Sequence, residues 1–194
     1  MKKLTLFATA AIAILLVSFT VVSDSTWTYD NNHAKVGFSI THMMVSDVEG
    51  YFKKATATLT TTKEDFTDAV VEMNADAASI FTDNDMRDGD LQSASYFDVA
   101  KYPVIAFKST YFKKAKAANT YTVKGMLTMH GVTRPVTLTA LARNGTNPMS
   151  KKTIAGFKIT GAVNRLDFGI GSSTPETIIS NQVLINANAE FVKN

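Results

Sequence analysis

Cysteine is absent from this 194-residue sequence, and histidine, tryptophan and proline are scarce, with three, one and four copies. A chain without cysteine forms no disulfide and has no cysteine to carry a lipid anchor. It also has no thiol nucleophile for a Cys–His pair. If the chain is exported, the absence of disulfides is more typical of the bacterial envelope than of eukaryotic secretion, where small domains depend on disulfides.

The charge is close to neutral once the N-terminal segment is set aside. The formal net charge is +3, and Lys2 and Lys3 supply two of these positive charges, which leaves about +1 for the rest. Nucleic-acid-binding domains need a strongly basic face. We therefore expect no nucleic-acid partner.

The N-terminal segment has the pattern of a secretory signal peptide. Met1-Lys2-Lys3 precedes an apolar run from Leu4 to Val22, and Ser23-Asp24-Ser25 follows it. No Ala-x-Ala lies at the end of this run, where it would mark a cleavage site, and the run is near the length of a membrane anchor. We expect a signal peptide at residues 1–23, one domain at residues 24–194, and a periplasmic or secreted protein.

Apolar and polar residues alternate along most of the chain from Trp27 onward. Val36, Phe38 and Ile40 share one phase, and the same pattern recurs at 55–59, 71–77, 104–112, 121–129, 136–143, 154–163 and 183–191. A period of two predicts strands, and short connections favour antiparallel pairing. We predict an all-β fold of about eight strands, closed into a barrel or split into a sandwich.

The segment Thr82–Pro103 breaks this alternation. Thr82 followed by Asp85 resembles a capping box, and Pro103 would stop a helix. We predict one or two short helices crossing a barrel mouth. The aspartates do not have the spacing of a calcium loop, because Arg87 and Asp88 stand where a ligand and a glycine are needed.

The motifs of common enzyme classes are missing, so any chemistry would depend on His33, His42 and His130. Gly169–Ser173 lacks the third glycine of a dinucleotide fingerprint, and no Gly-x-Ser-x-Gly occurs. His130-Gly131 lies between two alternating runs, which is typical of a hairpin turn. Three histidines could still meet as a zinc site in a folded barrel. The favoured interpretation is that each imidazole bonds to a nearby backbone group or carboxylate.

Small residues are frequent in the phases that the pattern assigns to the interior: Ala55, Ala57, Ala75, Ala106, Gly125, Ala140, Ala187 and Ala189. If they face the lumen of an eight-stranded barrel, space for a slender apolar ligand remains. If they lie under the crossing helices instead, they permit close packing. The sequence alone favours neither interpretation.

Three lysine pairs lie at predicted strand ends or turns, at Lys53-Lys54, Lys113-Lys114 and Lys151-Lys152. The favoured role is solubility and protection of strand edges. The alternative is a basic rim that makes transient contact with anionic lipid headgroups at a membrane surface.

Four separated blocks of the sequence resemble one known family, the YceI-like, lipocalin-like polyisoprenoid-binding proteins. The blocks are residues 33–52 ("HAKVGFSITHMMVSDVEGYF"), 79–110, 125–138 ("GMLTMHGVTRPVTL") and 163–171 ("VNRLDFGIG"). Three positions depart from the usual family pattern: Ala34 replaces a serine, Thr41 a basic residue and Asp90 a histidine. These departures concern the contacts at the barrel mouth.

The resemblance implies an eight-stranded antiparallel lipocalin-like barrel that holds a polyisoprenoid or similar amphiphilic lipid as a carrier, store or buffer. It implies an exported, non-catalytic protein, often a homodimer. We expect no metal, and no cofactor besides the lipid. We predict ligand contacts from Phe38, Ile40, His42, Leu59, Met73, Leu91, Phe97, Leu127, Met129, Leu138 and Phe168. The alternatives are a histidine-based metalloprotein or hydrolase, and an envelope interaction protein with a filled core.

The segment Thr82–Pro103 is further predicted to be a lid. It carries Leu91, Tyr96 and Phe97, and a short acid-rich crossing has little reason to carry such large apolar residues unless they face the lumen.

Overall fold

The computed structural model describes residues 25–194, and the predicted signal peptide at 1–23 lies outside them. Within this range the chain forms eleven strands and one α-helix. The strands are β1 Ser25–Tyr29, β2 Lys35–His42, β3 Ser46–Phe52, β4 Ala55–Thr61, β5 Val70–Asp76, β6 Ile80–Phe81, β7 Val104–Lys114, β8 Thr120–Met129, β9 Val132–Thr146, β10 Thr153–Asn164 and β11 Gln182–Lys193. The helix, α1, is Asp85–Gln92. No helix in this range is long and apolar enough to cross a bilayer.

Eight strands close into an antiparallel ring in the order β1-β4-β5-β7-β8-β9-β10-β11, and β11 pairs back with β1. The predicted eight-stranded barrel is therefore confirmed. The long strands β8 to β11 pair with their chain neighbours. Short hairpin connections favour this for β8–β9 and β9–β10, whereas β10 and β11 pair across the longer connection of residues 165–181.

The remaining three strands lengthen the barrel. β1 and β2 lie end to end along β11, and a 3-10 turn at Asn31–His33 separates them. β3 pairs with β2 as β4 pairs with β1, and β6 pairs with β3 as β5 pairs with β4. Three long strands of the barrel wall are thus each interrupted once: one consists of β1 and β2, one of β4 and β3, and one of β5 and β6. The segment between β6 and β7 contains α1.

The two ends of the barrel differ. The end with the β4–β5, β7–β8 and β9–β10 connections, here the aromatic end, contains Phe66, whose ring centroid lies 5.5 Å from that of Trp27 and 5.3 Å from that of Phe157. Phe66 is 1% exposed, so this cluster closes the barrel there. The opposite end, here the helix end, has the β2–β3, β8–β9 and β10–β11 connections and the 82–103 segment.

The helix begins later than the predicted capping box. Asn84 is the N-cap, and its side chain accepts a hydrogen bond from the Arg87 N–H. Thr82 instead donates its backbone N–H and its hydroxyl to the buried carboxylate of Asp88, at 2.9 and 2.6 Å. Because the Thr82 hydroxyl is committed to Asp88, it does not cap the helix, and the segment forms one helix of about two turns.

The assignment of Ala106 to the interior is wrong. Ile105 and Phe107 are buried, and their alternation turns Ala106 to the other face of β7. Both phases of this run are apolar, and the larger pair turns inward because it removes more apolar surface from water.

Candidate functional site: the barrel cavity

The barrel encloses a cavity of about 380 Å³. Apolar side chains form most of its wall, and this size and character are typical of sites for small apolar ligands. Ala57, Ala140, Ala187 and Ala189 are among the lining residues. These four alanines account for part of the open space, because larger side chains at the same positions would fill it.

The structure brings nine of the eleven predicted contact residues together around this cavity: Phe38, Ile40, His42, Met73, Leu91, Phe97, Leu127, Met129 and Leu138. Leu59 and Phe168 lie outside the lining. Each is 1% exposed; Leu59 pairs with Trp27 across β4 and β1, and Phe168 belongs to the 3-10 turn Arg165–Phe168. Contact with a ligand remains a prediction for the other nine.

Sequence reasoning missed much of the wall contributed by β7, β10 and β11. Ile105, Phe107, Ile159, Val163 and Ile185 line the cavity. The period-2 pattern of β10 and β11 contained this information, since Ile159 and Val163 share the phase of buried Phe157. For β7 the pattern did not show which face turns inward, because both phases of residues 104–107 are apolar.

A few polar residues interrupt the apolar wall: Thr82, Arg87, Asp90, His42, Arg165 and Asn188. Asp90, on α1, is exposed to solvent as well as part of the lining. The cavity therefore reaches the surface beside α1. Arg87 lies on the same helix and donates from Nε to the Thr82 hydroxyl at 2.7 Å.

Arg165 is a buried cation at the helix end of the cavity. Its side chain is bonded to backbone carbonyls, including those of Ile170 at 3.0 Å and Thr174 at 2.7 Å, and to Asn181 Oδ1 at 2.9 Å. Burial lowers the pKa of Arg165 from its ordinary value. The guanidinium thus holds the β10–β11 connection across the end of the barrel.

The 82–103 segment is tied to the same connection. The Tyr96 hydroxyl lies 3.0 Å from Thr174 Oγ1, and the Gly171 N–H donates to the Ser95 carbonyl at 2.9 Å. Tyr96 and Phe97 also line the cavity. The segment therefore covers part of the cavity with a few polar contacts and two aromatic rings.

The three histidines make separate contacts. His130 has φ 51° and Gly131 φ 72°, so they form the two-residue turn between β8 and β9, as predicted. His33 Nδ1 lies 2.9 Å from Asp30 Oδ2 at the surface, and this hydrogen bond raises the pKa of His33. His42 lines the cavity.

Among residues 25–194, the only group of three side chains placed to share a metal ion is Asp30, His33 and Glu190, on the exterior of the barrel. It contains one of the three histidines. The arrangement does not bring His33, His42 and His130 into one zinc site.

Comparisons with known proteins agree with the fold and the blocks described above. The profile of the YceI-like domain matches residues 27–191. Protein YceI of Escherichia coli O6:H1 is 34% identical over 171 residues, which cover 88% of each chain. The structure of Burkholderia cenocepacia BcnA superposes with a TM-score of 0.74 at 24% identity, covering 84% of this chain and 98% of that one. A polyisoprenoid binding domain from Saccharophagus degradans superposes with a TM-score of 0.61 at 15% identity, covering 87% and 98%.

Proposed function

Because this chain belongs to the YceI-like family, we propose that its barrel holds the apolar tail of a polyisoprenoid or a similar long amphiphilic lipid. The observation that carries the proposal is the cavity of about 380 Å³ with its apolar wall. The Saccharophagus degradans domain, described as polyisoprenoid-binding, has the same barrel fold and supports this class of ligand.

The physical basis of binding is burial of the tail. Each methylene-sized group removed from water contributes about 0.8 kcal/mol. Micromolar affinity corresponds to roughly 8 kcal/mol, so a tail of a few isoprene units supplies enough even after its ordering is taken into account. Affinity then comes from the tail, and selectivity comes from the polar groups beside α1, such as Arg87 and Asp90.

We propose a binding protein and not an enzyme. His130 forms a turn and His33 lies on the exterior, which supports structural roles for both. The signal-like segment at residues 1–23 supports export to the periplasm or beyond, where the protein acts as a carrier, store or buffer of lipid. Family resemblance adds the proposal of a homodimer, and the lysine pairs at 53–54, 113–114 and 151–152 add that of transient contact with a membrane surface.

Organic extraction of the purified protein, followed by mass spectrometry and elemental analysis, tests the proposal. The expected result is about one isoprenoid-type lipid per barrel. Stoichiometric zinc without lipid would favour the histidine-based metalloprotein or hydrolase. A protein with neither lipid nor metal, which also takes up no added polyprenol, would favour an envelope interaction protein.

A further inference from the structure

The β2–β3 hairpin exposes three successive apolar side chains at its tip. Met43, Met44 and Val45 are 53%, 74% and 84% exposed. Between Lys35 and Asp47 the sequence has no Asp, Glu, Lys or Arg. A cluster of exposed apolar side chains of this kind marks a contact surface.

The conformation of the tip makes these residues unusual. Met43 and Met44 have φ 49° and 60°, and the Val45 N–H donates to the His42 carbonyl at 3.1 Å. This geometry is that of a type I′ turn, in which asparagine and glycine are favoured at the two central positions. Two methionines there are not explained by the needs of the turn.

The tip is continuous with the wall of the cavity. His42 precedes it, lines the cavity and forms a bridge with Ile179, which is also a lining residue. The Met43 N–H donates to the carbonyl of Ile178, whose side chain is 39% exposed. Met43, Met44, Val45 and Ile178 together form what we call the tip patch.

We propose that the tip patch inserts into the interfacial region of a lipid bilayer and brings the helix end of the cavity to the membrane, where lipid is exchanged. This inference rests on the proposed function, because the membrane would be the source and the destination of the lipid that the barrel binds. Flexible methionine side chains adapt to an irregular apolar surface, as the acyl boundary of a bilayer requires.

The area of the patch favours a bilayer over a protein partner. A stable protein interface needs about 800 Å² from each partner, involving some 20 residues or more. Four side chains on a hairpin tip and its neighbouring loop are far below that size. Shallow insertion requires only a few apolar side chains at a tip.

The charged residues that flank the patch along the chain are acidic, so we expect apolar insertion, and not attraction to anionic lipid, to drive the contact. The nearest charged residues along the chain are Asp47 and Glu176. Lys114, by contrast, lies at the aromatic end and forms an ion pair with Asp65 at 2.8 Å. Vesicles of zwitterionic lipid should therefore suffice for binding.

Flotation with phosphatidylcholine vesicles tests the proposal, using residues 24–194, the whole predicted domain. The variant Met43→Asn/Met44→Gly/Val45→Thr removes the apolar side chains and installs the favoured residues of a type I′ turn, so its fold is preserved. Met149→Ser is the matched control, because Met149 is 89% exposed in the β9–β10 connection at the aromatic end. A melting curve for each variant confirms folding.

We expect the wild type and Met149→Ser to float with the vesicles, and the triple variant to lose about tenfold or more in partition coefficient. Transfer of a fluorescent polyprenol analogue to vesicles should slow in parallel, while the lipid extracted from the purified triple variant stays at the wild-type level. Equal flotation of the triple variant would overturn the proposal. Flotation of the wild type only with phosphatidylglycerol vesicles at low salt would also overturn it, because charge would then drive binding. If neither protein floats, and the wild type self-associates while the triple variant does not, the patch is a contact between two copies of the chain and the proposal is wrong. Absence of lipid from both proteins would instead count against the proposed function.

Discussion

His130 Nδ1 lies 2.9 Å from the carbonyl oxygen of Phe168, so the β8–β9 turn is joined to the 3-10 turn that begins with Arg165. The His130 ring also lies edge-on to Tyr102, with centroids 5.0 Å apart. The imidazole thus has two structural neighbours at the helix end of the barrel.

The first prediction concerns His130 and the cavity-lining His42. Changing His42 and His130 together to glutamine should leave the fold intact and lower lipid affinity by a factor of about five or less. Loss of the His130 hydrogen bond costs about 1 kcal/mol, and His42 is one lining residue among many apolar ones. Thermal unfolding and a polyprenol titration measure the two effects. Stoichiometric zinc in the wild type, lost in the double variant together with an activity, would contradict the assignment.

The second prediction concerns the cavity wall. Leu127 is 6% exposed and lines the cavity, so Leu127→Asp should reduce retained lipid to less than about a tenth, because an unpaired carboxylate is costly there. The same change should lower stability by more than about 2 kcal/mol. Met126→Asp is the control, since Met126 is 40% exposed on the other face of β8.

Ala187→Phe separates loss of lipid from loss of fold. Ala187 lines the cavity between Val36 and Ile159 on neighbouring strands. A phenylalanine there occupies the open space with apolar atoms, so lipid should be lost while the melting temperature holds or rises. If Ala187→Phe and Leu127→Asp both retain wild-type lipid, the ligand lies elsewhere.

The third prediction concerns acid. A hydrogen bond from Lys114 lowers the pKa of Asp65 from 3.8 to about 2. Burial raises the pKa of Asp68, but hydrogen bonds from Thr61 and Thr62 outweigh it and hold this pKa well below its ordinary range. Both carboxylates support the β4–β5 loop that carries Phe66.

Because these pKa values are lowered in the folded state, the stability that they contribute is complete above about pH 5 and is lost as the pH falls toward 2. The melting temperature of the wild type should therefore fall more between pH 5 and pH 2 than that of Asp65→Asn. Glu64→Gln, in the same loop and exposed, should keep the wild-type dependence. Identical pH profiles of the melting temperature for wild type and Asp65→Asn would show that the Lys114–Asp65 contact adds nothing to stability.

The parts of the fold that sequence predicted are those in which one phase is clearly more apolar than the other. β10 and β11 are examples, since Phe157, Ile159 and Ile185 alternate with polar or small residues. The interruption of β1 and β2 was not predicted. It depends on the turn Asn31–His33, which changes the register in which the chain pairs with β11. No local pattern of apolar and polar residues reveals such a change of register.

The role of Arg165 was likewise beyond sequence reasoning. Its acceptors are mostly backbone carbonyls between residues 170 and 180, and any sequence supplies carbonyls. Only the folded β10–β11 connection brings them around one guanidinium. The histidine at the β8–β9 turn was predictable, because a turn between two alternating runs is a local feature.

The last prediction concerns Phe97, in the 82–103 segment. Its ring packs edge-on against Phe52 of β3, with centroids 5.8 Å apart, and it lines the cavity while remaining half-buried. Entry and exit of a long tail require an opening, and a segment with few buried contacts opens at a lower free energy than the strands.

Phe97→Ala should therefore speed release of a fluorescent polyprenol at least about fivefold, which corresponds to roughly 1 kcal/mol, while lowering stability by less than about 1.5 kcal/mol. The control is Phe66→Ala at the aromatic end. Phe66 is 1% exposed, so its removal should cost about 3–5 kcal/mol of stability and leave release from the folded fraction unchanged. Stopped-flow release and denaturant unfolding measure the two quantities on the same samples. If Phe97→Ala unfolds the barrel as readily as Phe66→Ala and its folded fraction releases lipid at the wild-type rate, then the 82–103 segment is ordinary core and not a lid.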